Sequence, residues 1–191
     1  MGKAMGRAAG KAAGRAASLA PERQARRGEG SDPDPSSPRV AVLFGSETDR
    51  DVMAEAGRVL DRFGVPHDLR SLSAHRMPDE VAFYARRAKD RGVQVMICAA
   101  GMAAHLAGAV AAHTTLPVLG VPLGGSPLHG FDSLMSTVQM PAGVPVGTLA
   151  VGKAGAKNAA LLAIQILALS DPGLEQRLAE FKKAMTKGEK L

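Results

Sequence analysis

Arg39-Val40-Ala41-Val42-Leu43-Phe44-Gly45-Ser46-Glu47-Thr48-Asp49 is an apolar run that breaks into a polar cluster, and the same pattern recurs three times downstream. His67 to Leu72 leads to Ser73-Ala74-His75-Arg76, Val93 to Cys98 leads to Ala99-Ala100-Gly101-Met102-Ala103-Ala104-His105, and Pro117 to Val121 leads to Gly124-Gly125-Ser126. Segments with helical spacing lie between the runs. Strands alternating with helices specify an α/β chain with a parallel sheet. In open parallel sheets the loops after the carboxyl ends of the strands converge on one crevice, where such folds bind ligands. A hydroxyl, a carboxylate, an imidazole and a guanidinium are therefore expected to meet there, in a site suited to a phosphorylated ligand.

Thr48 or Asp49 can cap a first helix through about Arg62, whose apolar face carries Val52, Met53, Ala56, Val59, Leu60 and Phe63. Pro78 suits the first position of a second helix running to about Arg91, closed by Gly92. Further helices are expected over Ala103 to His113, Phe131 to Val138, Ala156 to Leu169 and Pro172 to Met185, with a fifth strand over Val146 to Val151. The helix from Ala156 to Leu169 is apolar nearly all round, so it must be buried on most sides. A neighbouring subunit is its natural cover, which predicts a homo-oligomer.

The chain has 191 residues, enough for one domain of about 150 residues and a tail. With no Trp and one Tyr, its core is built from Ala, Val, Leu, Ile and Met, and stacking on nucleic-acid bases is not expected. The net charge of +6 divides evenly: residues 1–38 hold seven basic and four acidic side chains, the remainder seventeen and fourteen. Half the excess thus lies on the tail, and no nucleic-acid surface is indicated. Gly92 to Phe131 carries no Asp, Glu, Lys or Arg and exceeds the ~20 residues that span a bilayer. Prolines, histidines and the Gly124-Gly125 pair break it into strand, helix and strand, so no membrane association is expected and the chain should be soluble and cytoplasmic. Cys98, the single cysteine, fits a reducing compartment and reads as a small core residue.

Gly2, Gly6, Gly10 and Gly14 are each followed by Lys or Arg and then Ala, and Pro21, Pro33, Pro35 and Pro38 follow. Such composition cannot bury a core, so residues 1–38 are read as a disordered basic Gly/Ala/Pro-rich tail and residues 39–187 as the folded domain.

Among the clusters, Ser46, Thr48 and Asp49 lie in a strand-to-helix turn, where backbone N–H groups favour anions and side-chain oxygens can hold ribose hydroxyls. The dinucleotide fingerprint Gly-x-Gly-x-x-Gly is absent from this turn. His75 offers a group that takes and returns a proton near neutral pH, flanked by Arg76, whose fork suits phosphate, and by the Ser73 hydroxyl. Gly101 with Ala99, Ala100, Ala103 and Ala104 offers small side chains and backbone N–H groups at a helix start, either a pocket for a carboxylate or a small neutral molecule or close helix-to-sheet packing. His67, His113 and His129 show no metal-ligand spacing with one another or with Cys98, and no metal is assigned.

Gly45-Ser46-x-Thr48-Asp49, Ser73-Ala74-His75-Arg76-x-Pro78-Asp79, Ala103-Ala104-His105-Leu106, Pro117 to Pro122, Asp132-Ser133-Leu134, Val138-Gln139-Met140-Pro141 and Gly155-Ala156-Lys157-Asn158-Ala159 closely resemble the class I PurE family. The resemblance runs in order from Arg39 to Met185. It implies a three-layer α/β/α sandwich with a parallel, flavodoxin-like sheet, and an isomerase of purine biosynthesis that needs neither cofactor nor metal. The family's N5-carboxyaminoimidazole ribonucleotide mutases move a carboxylate from the exocyclic nitrogen to ring carbon 4, releasing and recapturing carbon dioxide. By that resemblance Ser46 and Asp49 face the ribose, Ser73 and Arg76 the phosphate, His75 shuttles the proton, and Ala100, Gly101 and Leu106 surround the carboxylate or carbon dioxide. The family forms octamers. Its second class, which carboxylates the aminoimidazole ribonucleotide directly, usually has Lys in place of Arg76, so Arg favours the mutase. A catalytically silent ribonucleotide-binding protein is the alternative from another class. The chain departs from the family pattern at Thr48, Arg50, Met77, Ala107 and above all Met102, which replaces a usual Gly. If that position requires positive φ or abuts the ligand, Met brings strain or fills space.

Overall fold

β1 (Val40–Phe44) is an inner strand because its five residues, fully apolar, are buried on both sides of the sheet. The structure, a computed structural model, describes residues 37–189. β2 (His67–Ser71), β3 (Val95–Gly101), β4 (Val118–Leu123) and β5 (Gly147–Thr148) complete a five-stranded parallel sheet in the order β2-β1-β3-β4-β5. Val40 pairs with His67 on one side and Val95 on the other, Met96 with Val118, and Leu119 with Gly147. This is the flavodoxin-like order, and it reverses direction between β1 and β3.

Among the described residues six α-helices flank the sheet: α1 (Arg50–Arg62), α2 (Pro78–Arg87), α3 (Leu106–Ala111), α4 (Phe131–Val138), α5 (Lys153–Ala168) and α6 (Pro172–Met185). Val42, Phe44 and Ile97 meet Met53 and Leu60 of α1, Ala160 and Ile164 of α5, and Leu174 and Phe181 of α6 in the larger core. Leu43, Met96 and Cys98 meet Val81 and Tyr84 of α2 and Leu106 and Val110 of α3 in the smaller one. α4 joins the same side: a Cβ on Gly120 of β4 would lie 2.4 Å from Thr137 Cγ2 of α4 and 3.5 Å from the Ala107 Cβ of α3. Glycine is required there by contact alone.

Several expected elements shift. Ala99, Ala100 and Gly101 belong to β3, paired with Val121, Pro122 and Leu123, rather than to a loop at a helix start. α3 accordingly shrinks to six residues and begins at Leu106. β5 keeps only Gly147–Thr148; Pro122 of the neighbouring strand has no N–H to extend the ladder, and its carbonyl accepts from Gly152 N–H instead. α5 does not need a neighbouring subunit to explain its composition. It lies against α1 and α6, and Leu161, Leu162 and Ile166 are half-buried on the same core. Residues 1–38, read above as an unfolded tail, lie outside the described residues except for Ser37 and Pro38. Among the described residues no helix is long and apolar enough to cross a membrane.

Candidate active site

The direction reversal between β1 and β3 parts the loops that follow them, and a cleft of 560 Å³ opens at their carboxyl ends. Ser46, Asp49, Ser73, His75, Arg76, Ala100, Gly101 and Leu106, drawn from three separate stretches of chain, all line it. Gly45, Thr48, Ala74, Met102, Ala103, His105, Gly124 and Gly125 complete the wall.

On the β1 side the chain leaves Phe44 through Gly45 and turns once in a 3-10 helix, Glu47–Asp49, before α1. Ser46 caps this 3-10 turn, its Oγ accepting from Thr48 N–H at 3.4 Å and from the Thr48 hydroxyl at 2.9 Å, while Asp49 holds the N-cap position of α1. Asp49 makes no side-chain cap and stays available to the cleft. Burial holds its carboxyl above the ordinary carboxylate range, against hydrogen bonds from Ser46 and Thr48 that pull the other way.

After β2 the chain makes a tight turn in which Met77 N–H donates to the Ser73 carbonyl at 2.8 Å and Arg76 N–H to Ser73 Oγ at 3.3 Å. Arg76 Nη2 donates to the Gly45 carbonyl at 2.9 Å, tying this turn to the β1 loop. The guanidinium is thereby aimed along the cleft, with its other N–H groups left for an anion. The His75 and His105 rings meet edge to face, centroids 5.2 Å apart at 71°. Both are exposed, and Ser73 and Leu106 beneath them are buried. The third wall is the end of β3, where Ala100 and Gly101 present almost no side chain. Cys98, one turn of the pleat below, is buried and its thiol is pushed well above its usual range, so it offers no nucleophile. Among the described residues no three His, Cys, Asp or Glu side chains stand together as a metal-ligand group.

The family model for AIR carboxylase matches residues 39–188. The chain belongs to the AIR carboxylase family. It is 53% identical over 148 residues to the N5-carboxyaminoimidazole ribonucleotide mutase of Escherichia coli (strain K12), covering 78% of this chain and 88% of that protein. To the enzyme of the same name from Pyrococcus horikoshii it is 48% identical, over 78% of this chain and 82% of that one. Among solved structures, Treponema denticola PurE superposes with a TM-score of 0.71 at 25% identity, over 79% of this chain and 93% of that chain.

Against that AIR carboxylase background, Met102 is informative. It adopts φ of 53°, a region that costs a residue with a Cβ about 1 kcal/mol or more. Its side chain is 63% exposed at the rim, so it leaves the cleft open rather than filling it. Arg50, another departure, lies 5.2 Å over the Phe44 ring and pairs with Glu47 at 2.7 Å, which braces the first turn from outside. Two contributors were unassigned in the sequence. The Gly45 carbonyl is a backbone group with no sequence signal, and the His75–His105 contact joins residues thirty positions apart whose only shared cue is that each follows a strand.

Proposed function

We propose that the chain is an N5-carboxyaminoimidazole ribonucleotide mutase of purine biosynthesis, an isomerase acting on a ribonucleotide. The observation that carries this reading is the meeting, in one cleft, of an imidazole, a phosphate-suited guanidinium and a wall of Ala and Gly, in a chain half identical to enzymes of that name.

Each residue has a role that its geometry permits. Arg76, held by the Gly45 carbonyl, forks onto the phosphate with the Ser73 hydroxyl beside it. The Asp49 carboxylate accepts from the ribose hydroxyls, and Ser46 Oγ, already an acceptor from Thr48, keeps its own proton to donate. The exocyclic N–C bond breaks, carbon dioxide leaves, and the electron pair returns to the nitrogen with a proton. Carbon 4 then attacks the carbon dioxide and loses its own proton. One proton is given and one taken, so a single group, His75, closes the cycle without a cofactor. Carbon dioxide has no charge for the enzyme to grip, which suits the small apolar wall of Ala100 and Gly101, with Leu106 beneath.

The enzyme works in the cytoplasm as a homo-oligomer, an octamer by family resemblance, with residues 39–187 as its catalytic domain and residues 1–38 as a tail outside it. Support for association comes from exposed apolar side chains, Phe131 at 65% and Leu128 at 61% among them, beside α4.

The carboxyamino substrate and, separately, the parent aminoimidazole ribonucleotide with bicarbonate distinguish the readings. A mutase makes carbon-carboxylated product from the first. Product only from the second identifies a direct carboxylase, and tight binding with neither turnover a silent binder. Arg76→Lys, replacing a fork with a point charge, is expected to weaken ribonucleotide binding by about 1–3 kcal/mol. Equal loss for the unphosphorylated riboside in a calorimetric titration removes Arg76 from the phosphate.

A further inference from the structure

Among the described residues only Met102 and His129 combine a side chain with positive φ, and of the two only Met102 lines the cleft. Strain of this kind persists where the surroundings enforce it. Gly101 is fixed in the sheet opposite Leu123, and the Met102 carbonyl accepts from Ala104 N–H at 2.9 Å, so the turn is held from both ends. The result is a long, flexible thioether at the mouth of the site, beside the apolar corner of Ala100, Gly101, Ala103 and Leu106.

The sulfur inventory sets this position apart. Met53 and Met96 are fully buried, and Met77, Met135 and Met140 are half-buried. Cys98 is buried with a thiol that stays protonated. Met102 and Met185 alone among the described methionines are exposed, and Met185 ends α6, outside the cleft lining.

We propose that Met102 is a peroxide-sensitive rim of the cleft: as thioether it keeps the mouth beside the apolar corner apolar, and as sulfoxide it brings bound water to that corner. This rests on the mutase reading. The sulfur lone pair attacks one oxygen of hydrogen peroxide, the O–O bond breaks, and the departing hydroxide takes up a proton and leaves as water. Sulfur is oxidised by two electrons and the peroxide is reduced by two. The sulfoxide is a strong hydrogen-bond acceptor and binds water, where the thioether excluded it. Carbon dioxide released in the first half-reaction then escapes before carbon 4 can attack it.

The full chain is treated with hydrogen peroxide, sulfoxide is quantified at each methionine by peptide mass, and the carboxyamino substrate is supplied. The readout is the ratio of carbon-carboxylated product to leaked aminoimidazole ribonucleotide. Met102 and Met185 are expected to oxidise before the buried methionines. The ratio should fall on the order of tenfold, equivalent to ~1.4 kcal/mol, in step with Met102 sulfoxide, and return after treatment with methionine sulfoxide reductase. Each variant is compared with its own untreated sample: Met102→Leu should keep its ratio and Met185→Leu should lose it. The proposal is overturned if Met102 stays reduced while Met185 oxidises, if a fully oxidised Met102 leaves the ratio unchanged, or if Met102→Leu loses as much as the parent. An untreated protein that makes no product overturns the mutase reading and this proposal with it. Untreated turnover with an indifferent sulfoxide overturns this proposal only.

Discussion

The two faces of the sheet are finished differently. On the face of α1, α5 and α6, Ala159, Ala160, Ile164 and Leu174 are fully buried, and Phe181 caps the layer with its ring edge on Phe63, centroids 5.6 Å apart. Leu169 at the end of α5 and Met185 at the end of α6 are exceptions, 89% and 46% exposed. On the face of α2, α3 and α4, Phe83, Leu128, Phe131 and Val138 stand exposed. A groove of 450 Å³ runs from His75 and His105 past Gly108 and Ala112 to Met140 and Val144. One face completes its core within the chain, while the other leaves apolar surface uncovered and shares its edge with the cleft. In the proposed oligomer, stability and association fall to opposite sides, and the cleft borders the associating side.

The finished face should fail first under truncation. Ile164→Ala, at a fully buried site, is expected to cost ~2–5 kcal/mol, read from the urea midpoint. A loss below about 1 kcal/mol would mean that α5 can collapse onto α1, and that this face is less rigid than described. On the other face His75→Asn should leave that midpoint alone, since His75 is exposed, while turnover falls by at least ~100-fold. Near-parental turnover would move the proton shuttle elsewhere, with His105 the next residue to test. Phe131→Asp probes the uncovered surface directly. Light scattering should show dissociation, as expected for loss of an aromatic anchor worth about 2 kcal/mol, with little change in the stability of the separated chain. Unchanged assembly would place the contact away from α4.

The smallest effect is expected at the seam between the faces. Because burial raises the Asp49 pKa in the folded chain, the folded state prefers the protonated carboxyl. Its stability therefore carries no penalty below the unfolded pKa and declines as pH rises through the ordinary carboxylate range to the raised value. Asp49→Asn should thus unfold at slightly higher urea than the parent at neutral pH, with no gain in strong acid, while binding the ribonucleotide more weakly. A parent and variant with identical midpoints at both pH values would show that the Asp49 carboxyl is not strained by burial.

The alternation of apolar runs and polar clusters was enough to read the parallel sheet, and all eight residues chosen for the site line one cleft. What escaped reading has physical causes. Ala99, Ala100 and Gly101 look like loop because they lack branched side chains, yet the backbone ladder to β4, joined at Ala99 by β1, holds them as strand whatever their propensity. The packing of α5 on α1 and α6 went unread because apolarity all round does not tell a partner subunit from helices of the same chain. The Ser46 cap went unread because a single 3-10 turn precedes α1, and such a turn leaves no mark in hydrophobic periodicity.

β1 ends at Phe44, level with Ala99, while β3 continues through Ala100 to Gly101. At roughly 3.3 Å per residue, the overshoot makes a ledge about 7 Å high. That is close to the breadth of a small planar ring with one substituent, so the sheet acts as a caliper: one jaw is the turn at Ser46, the other the end of β3. Inserting one residue in β3 would shift the far jaw by about one rung and turn every later side chain to the opposite face. The gauge is therefore set by strand length, which no single substitution can adjust.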